Sequence, residues 1–314
     1  MLRKSKVFLI FAIFAVLLFS CSKKRKADNS AGKITVMTAI APQKYLVEKI
    51  GSGYVAVEVM VPKGSDPHDF APTPTLIMQL SKAKIFFRVG MPFEDRIIEK
   101  IRGSGLKTLI VDSSEGIVRR KISQDEEEHG NLDHGDDNHD NLDPHVWNSV
   151  QNLRIMASNI CAALCKESPQ HAQEFKGNLS NLDSELAGIQ KEISTLMAPF
   201  KGRTFYVFHP SFGYFADSCG LKQKAIEAEG KTPTPKQLSE IIKLAIKENV
   251  TIIFASPQFS TKSAEAVASA IKGAVVKIDP LPANPVANFR AMASEIKKSF
   301  ASEKTKTQDA ARER

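Results

Sequence analysis

The sequence lacks a hydrophobic run long enough to cross a membrane as a helix. Its apolar segment near the N-terminus, Val7 to Phe19, is shorter than the about 20 residues that a bilayer requires, and it follows Arg3, Lys4 and Lys6. A basic stretch ahead of a short apolar run is typical of a signal peptide. We therefore expect an exported protein whose residues 1–20 are the signal peptide.

Cysteine is scarce, with four in 314 residues. Cys21 ends the segment Leu18-Phe19-Ser20-Cys21, which resembles a bacterial lipobox. In that interpretation Cys21 carries the lipid, and residues 21–32 are a tether at the membrane surface. Simple secretion with cleavage elsewhere, or an uncleaved short anchor, is the alternative.

The other three cysteines give no zinc-finger spacing, because no second close pair of Cys or His accompanies Cys161 and Cys165. An odd number in an exported chain leaves at least one thiol free or one intermolecular bridge. We expect Cys161, Cys165 and Cys219 to be mainly small buried apolar side chains.

The chain beyond its leader has almost no excess positive charge. Seven basic residues precede Asp28, and from Ala27 onward 36 basic residues face 35 acidic ones, so the formal net charge of +8 comes from the leader and tether. Aromatic residues are not interleaved with a basic stripe. Nucleic acid is therefore not expected as a partner.

Apolar runs of strand type alternate with helical segments along most of the chain, which predicts parallel α/β sheets. The chain is long enough for two domains with cores. Between them, residues 169–197 carry apolar side chains at alternating steps of four and three, which predicts one long helix. The predicted organisation is an N-terminal lobe at 33–167, a stiff linking helix at 168–198 and a C-terminal lobe at 199–314.

A solvated loop at residues 125–142 contains His129, His134 and His139 among many Asp and Glu residues. His-rich short tracts indicate metal binding, and imidazole mixed with carboxylate suits a divalent cation, zinc first. The alternative is an acidic surface loop in which the histidines are accidental.

Four further residues lie in loops or directly after predicted strands: His68, His145, His209 and Asp279. Ligands of open α/β sheets bind at the carboxyl ends of strands. Each residue alone has a structural explanation, but three imidazoles and one carboxylate together form a suitable set for Zn²⁺, and an acceptable one for Mn²⁺ or Fe²⁺.

The chain resembles the metal-binding lipoproteins of bacterial ABC importers, the solute-binding family for zinc and manganese. The resemblance is carried by GSDPHDFAPTP (64–74), DPHVWNS (143–149), FHPSFGYFADSCG (208–220), EAEGKTPTPKQL (227–238), IIFASPQFS (252–260) and IDPL (278–281). It implies two α/β lobes bridged by one long helix, with His68, His145, His209 and Asp279 as ligands of an interlobe metal. It also implies an importer permease and its ATPase as partners, a lipid anchor on the periplasmic or extracellular face, and a monomer.

Zinc-specific members of that family are similar in having a His- and acid-rich loop, whereas many manganese members have a glutamate in place of His209. The disulfide of some zinc members has no counterpart, since Cys219 stands alone in its lobe. The expected function is capture of zinc and its delivery to the importer, with the acidic loop as a collector or a brake. No catalysis is expected, because no Glu lies beside a ligand His as in H-E-x-x-H.

Four alternatives stay open at this point. They are a manganese or iron receptor of the same family, a surface adhesin with a structural metal, a metallohydrolase, and a metal buffer that uses only the loop.

Overall fold

The computed structural model describes residues 32–122, 142–227, 233–259 and 261–312. None of the helices in these ranges is long and apolar enough to span a membrane. In chain order the elements are β1 (Ile34–Thr38), α1 (Ala41–Gly51), β2 (Val55–Val59), α2 (Pro74–Leu80), β3 (Ile85–Arg88), α3 (Pro92–Gly103), β4 (Leu109–Asp112), α4 (Val150–Glu167), α5 (Ala172–Met197), β5 (Thr204–Val207), α6 (Gly213–Cys219), β6 (Lys222–Ala225), α7 (Pro235–Lys247), β7 (Ile252–Ala255), α8 (Lys262–Ala270), β8 (Ala274–Lys277) and α9 (Pro285–Arg312).

The strands form two four-stranded sheets with the same topology. The first has the order β2-β1-β3-β4 and the second has the order β6-β5-β7-β8, and every pairing within them is parallel. Parallel strands need helical crossovers that cover both faces of the sheet. The predicted fold class, two parallel α/β lobes, is confirmed.

One strand was not predicted from the sequence. Strand β6 has the sequence Lys-Gln-Lys-Ala and lies at the edge of its sheet, where only alternate side chains, those of Gln223 and Ala225, are buried. An edge strand with a polar face lacks the continuous apolar run that marks a central parallel strand. The last helix, α9, is long and continues to Arg312.

Helix α5 packs against both lobes, as its apolar stripe predicts. It contacts α1 and α4 of the first lobe and α6 and α9 of the second. The side chains that it buries are Phe175, Leu182, Leu186, Ile189, Ile193 and Met197, and Leu179 and Leu196 pack at the margin of the core. Apolar side chains of both lobes and of α5 form one continuous cluster, so α5 belongs to the core rather than to a flexible linker.

Candidate metal centre

Three Asp-Pro-X turns of identical design surround one point between the lobes. In each turn the aspartate Oδ1 accepts a hydrogen bond from the backbone N–H two residues later, at 2.9 Å in all three cases. The turns are Asp66-Pro67-His68, Asp143-Pro144-His145 and Asp279-Pro280-Leu281. Aspartate favours this turn because its short side chain reaches its own backbone. Two of the turns present a histidine, and the third presents Asp279 itself.

Strand ends place the remaining residues of the site. His209 follows β5, Gln258 follows β7 and Asp279 follows β8, all at the carboxyl edge of the second sheet. Strand β5 is the first strand of that sheet in sequence, and its neighbours β6 and β7 lie on opposite sides. This is the switch point at which open α/β sheets bind ligands.

His68, His145 and His209, here called the histidine cluster, lie with their ring nitrogens close together. The Nε2 atom of His145 is 3.0 Å from that of His68 and 3.1 Å from that of His209. The three ring centroids form a nearly equilateral triangle with sides of 5.0 to 5.1 Å. Zinc bound to nitrogen at 2.0–2.1 Å in a tetrahedron sets its ligand atoms about 3.3–3.4 Å apart. The two distances measured from Nε2 of His145 are thus within a few tenths of an ångström of that geometry.

Burial favours the neutral form of two histidines of the cluster, His68 and His145. The side chains of His145 and His209 are buried. Burial lowers the pKa of His68 to about 2, with a further contribution from the two neighbouring histidines, and burial also lowers the pKa of His145. A neutral imidazole has a free nitrogen lone pair, which is the form that binds a metal ion.

Two carboxylates that sequence reasoning had not selected orient the rings. Asp143 Oδ1 lies 2.8 Å from Nδ1 of His145, and Glu227 Oε1 contacts Nδ1 of His209. Each carboxylate accepts a hydrogen bond from the Nδ1–H of its histidine and thereby directs Nε2 toward the centre of the cluster. Burial alone would raise the pKa of Asp143, but the hydrogen bonds from His145 and Arg120 lower it.

Arg120 connects the ring-orienting carboxylate Asp143 to the second lobe. Its Nη1 donates to Asp143 Oδ2 at 3.0 Å, and its Nε donates to Asp217 Oδ2 on α6 at 2.9 Å. Gly213 on the same helix leaves room for this side chain, because a Cβ there would lie 2.0 Å from Nη1 of Arg120. Tyr214 adds a hydrogen bond from its hydroxyl to the Asp143 carbonyl.

Asp279, the fourth predicted ligand, lies beside the histidine cluster without joining its group of close ligand atoms. That group, whose atoms are all within 4.8 Å of one another, comprises the three histidines among the described residues. The carboxylate Oδ1 of Asp279 accepts from Gln258 Nε2 at 2.7 Å and from Leu281 N–H at 2.9 Å. Gln258, Pro280 and Leu281 line the same pocket as the histidines.

Aromatic side chains cover the rest of the pocket. Phe259 lies against His209 with ring centroids 4.5 Å apart, and Trp147 lies against His145 at 5.4 Å. Trp147 also donates its Nε1–H to the Pro280 carbonyl at 2.6 Å, which joins the turns of the two lobes. Such walls exclude water and strengthen the interaction of a bound cation with its ligands.

Some predicted residues lie outside the described ranges: Cys21 and the loop histidines His129, His134 and His139. Among the described residues, Cys161, Cys165 and Cys219 are all free thiols. Burial raises the pKa of Cys161 to about 12 and that of Cys219 to about 11. Cys161 and Cys219 thus have the environment of inert buried thiols, as the sequence predicted, whereas Cys165 is only half-buried.

Comparisons with known proteins agree with this site. Residues 36–302 match the family described as zinc-uptake complex component A, periplasmic (ZnuA). A putative metal-binding protein of Treponema pallidum (strain Nichols) is 31% identical over 261 residues, which cover 80% of this chain and 81% of that protein. The high-affinity zinc uptake system protein ZnuA of Bacillus subtilis (strain 168) is 30% identical over 274 residues, covering 85% of each. The crystal structure of a zinc-bound ZnuA deletion mutant superposes with a TM-score of 0.76 at 33% identity, covering 85% of this chain and 98% of that one.

Proposed function

The chain belongs to the family of periplasmic zinc-uptake components, whose members are transport receptors rather than enzymes, and we propose that it captures zinc outside the cytoplasm for delivery to an ABC importer. The observation that carries the proposal is the histidine cluster, in which three imidazoles meet with ring nitrogens 3.0 and 3.1 Å from Nε2 of His145. The same cluster favours Zn²⁺ over Mn²⁺ and Fe²⁺, since imidazole is a ligand that zinc prefers.

In this proposal His68, His145 and His209 supply three ligand nitrogens, and Asp279 supplies one oxygen. Asp279 follows β8 and is hydrogen-bonded through Oδ1 to Gln258 and Leu281, which line the pocket, so Oδ2 is the oxygen that we assign to the metal. Three neutral histidines and one carboxylate leave a divalent ion with a net charge of about +1. Burial of that charge is supported by the carboxylates of Asp143 and Glu227 behind the rings.

The proposed setting is the outer face of the cell membrane or the periplasm. Residues 1–20 would direct export, Cys21 would carry the lipid, and residues 21–32 would tether the lobes at 33–167 and 199–314 through the linking segment 168–198. The monomeric receptor would pass its cargo to a permease driven by an ATPase. The loop at 125–142 would collect zinc through His129, His134 and His139.

Zinc uptake by intact cells tests the proposal. In a strain that lacks this gene, the full chain is expected to restore uptake of radioactive zinc at limiting concentration, and the His145→Ala variant is not, because its loss removes the central nitrogen of the cluster. His171→Ala is the matched control, since that ring stacks on Tyr54 away from the cluster. Full uptake with His145→Ala would contradict the proposal, and uptake of manganese alone would change the cargo.

A further inference from the structure

One oxygen of the Asp279 carboxylate carries both of the hydrogen bonds that the described residues make to this group. Oδ1 accepts from the Leu281 N–H of its own turn and from Nε2 of Gln258. Two donors at hydrogen-bonding distance occupy the lone pairs of one carboxylate oxygen. Oδ2 is therefore the oxygen that is available to a cation.

When the Gln258 amide donates from Nε2 to Asp279, its own oxygen, Oε1, is left without a hydrogen bond from the described residues. Its Nε2 must face the Asp279 oxygen, because the reversed amide would set two acceptors against each other. In this orientation Oε1 is buried and has no hydrogen-bond partner among the described residues. A buried acceptor without a donor is costly, and such a group in a folded protein calls for an explanation. The contact with Asp279 supplies one, since Gln258 also lines the pocket of the histidine cluster.

We propose that Gln258 sets the preference of the site for zinc over manganese by restricting Asp279 to a single ligand oxygen. Three imidazole nitrogens and one carboxylate oxygen complete the tetrahedron that zinc adopts. Manganese is better served by more oxygen ligands and a higher coordination number. To gain the second oxygen of Asp279, manganese would have to displace the Gln258 amide and the turn N–H of Leu281. This inference rests on the proposed function, in which Asp279 is the fourth ligand.

The test compares zinc and manganese affinities of the full chain by chelator competition, in wild type and in Gln258→Met. Methionine matches the length of glutamine and removes the amide. We expect the ratio of zinc to manganese affinity to fall by about tenfold, the lower end of the range for residues that orient a metal ligand. X-ray absorption of the manganese-loaded variant should show one more oxygen ligand than the manganese-loaded wild type. Gln258→Asn, which keeps an amide but shortens its reach, should shift the ratio in the same direction.

Two controls separate this role from a general structural one. Gln173→Met changes an exposed glutamine on α5 and should leave both affinities unchanged. In an Asp279→Asn background, Gln258→Met should cause no further change in the ratio, since the two residues act through one contact.

An unchanged ratio in Gln258→Met and Gln258→Asn, with tight zinc binding that His145→Ala abolishes, would overturn this inference and leave the proposed function intact. An equal shift in the Asp279→Asn background would also overturn it. Absence of tight zinc binding in the wild type would overturn the proposed function and this inference together.

Discussion

The Asp-Pro-His turns combine two tasks in three residues. The aspartate fixes the turn by accepting the N–H of its histidine, and at Asp143 the same oxygen also contacts the ring nitrogen of His145. Proline restricts the backbone between them to a narrow range of φ. As a result the imidazoles need little reorganisation when a cation enters, which raises affinity by lowering the entropy lost on binding.

Neutrality of His68 predicts a defined loss of stability in acid. Its pKa in the folded chain is about 2, against about 6.5 in an unfolded chain, so below about pH 6.5 the unfolded chain binds a proton that the folded chain does not. As the pH is lowered below about 6.5, the free energy of unfolding of the metal-free protein is therefore expected to fall. His68 contributes about 1.4 kcal/mol of this loss per pH unit.

Urea unfolding at pH 7.5, 6 and 5 in the presence of a chelator measures this effect. Glu94 opposes it, because burial raises the pKa of that carboxyl to about 7 and the folded chain then gains stability as the pH falls. The comparison of wild type with His68→Asn isolates His68, and the stability advantage of wild type should shrink with each step below pH 6.5. A constant difference between the two proteins would show that His68 is not buried in its neutral form.

The carboxylates behind the rings should control affinity without touching the metal. Glu227→Ala removes the acceptor for Nδ1 of His209, so we expect zinc affinity to fall by about 10–100-fold. Glu227→Gln keeps an acceptor oxygen and should lose less. Glu174→Ala is the matched control, because Glu174 pairs with Nδ1 of the half-buried His171, and equal losses in Glu227→Ala and Glu174→Ala would contradict this role.

At the scale of the elements, the sequence predicts those whose pattern is regular. The sequence predicts α5 because its buried face repeats at a fixed period, and it predicts the central strands because their side chains form short continuous apolar runs. Strand β6 was missed because an edge strand buries only alternate residues, and Glu227, which follows it, was missed with it. The position of Gln258 gives a weak indication of a role in the site, since Gln258 follows a strand of the second sheet as His209 and Asp279 do. Its contact with Asp279 joins residues 21 positions apart and needs the folded sheet.

Helix α5 offers a contrast between its buried and exposed faces. Leu186 is fully buried, and its replacement by Ala should destabilise the protein by about 2–5 kcal/mol through lost burial and a cavity. Gly188 is exposed and a Cβ there would meet no atom within 4 Å, so Gly188→Ala should stabilise by about 0.4–1 kcal/mol. Denaturant unfolding measures both, and destabilisation by Gly188→Ala would mean that this face of the helix is covered.

At the scale of the whole molecule, the two lobes are joined by more than a linker. Apolar packing on α5 is continuous through both lobes, and hydrogen bonds cross between them from Trp147 to Pro280, from Asn148 to Ser211 and from Arg120 to Asp217. Wide hinge opening would break the packing and these bonds together.

The lobes are therefore expected to keep their arrangement when zinc binds. Small-angle X-ray scattering of the metal-free and zinc-loaded protein should give the same radius of gyration. In that case release of zinc requires the importer to deform the site. A clear compaction on zinc binding would contradict this account and favour a hinge mechanism.

Zinc content and competition titration of the purified chain, alongside His209→Ala, test the central claim most directly. His209 is the histidine that the second lobe contributes to the cluster. The account predicts one tightly bound zinc per chain in wild type and loss of that site in His209→Ala. Tight zinc binding that survives in His209→Ala would contradict a metal site built from both lobes.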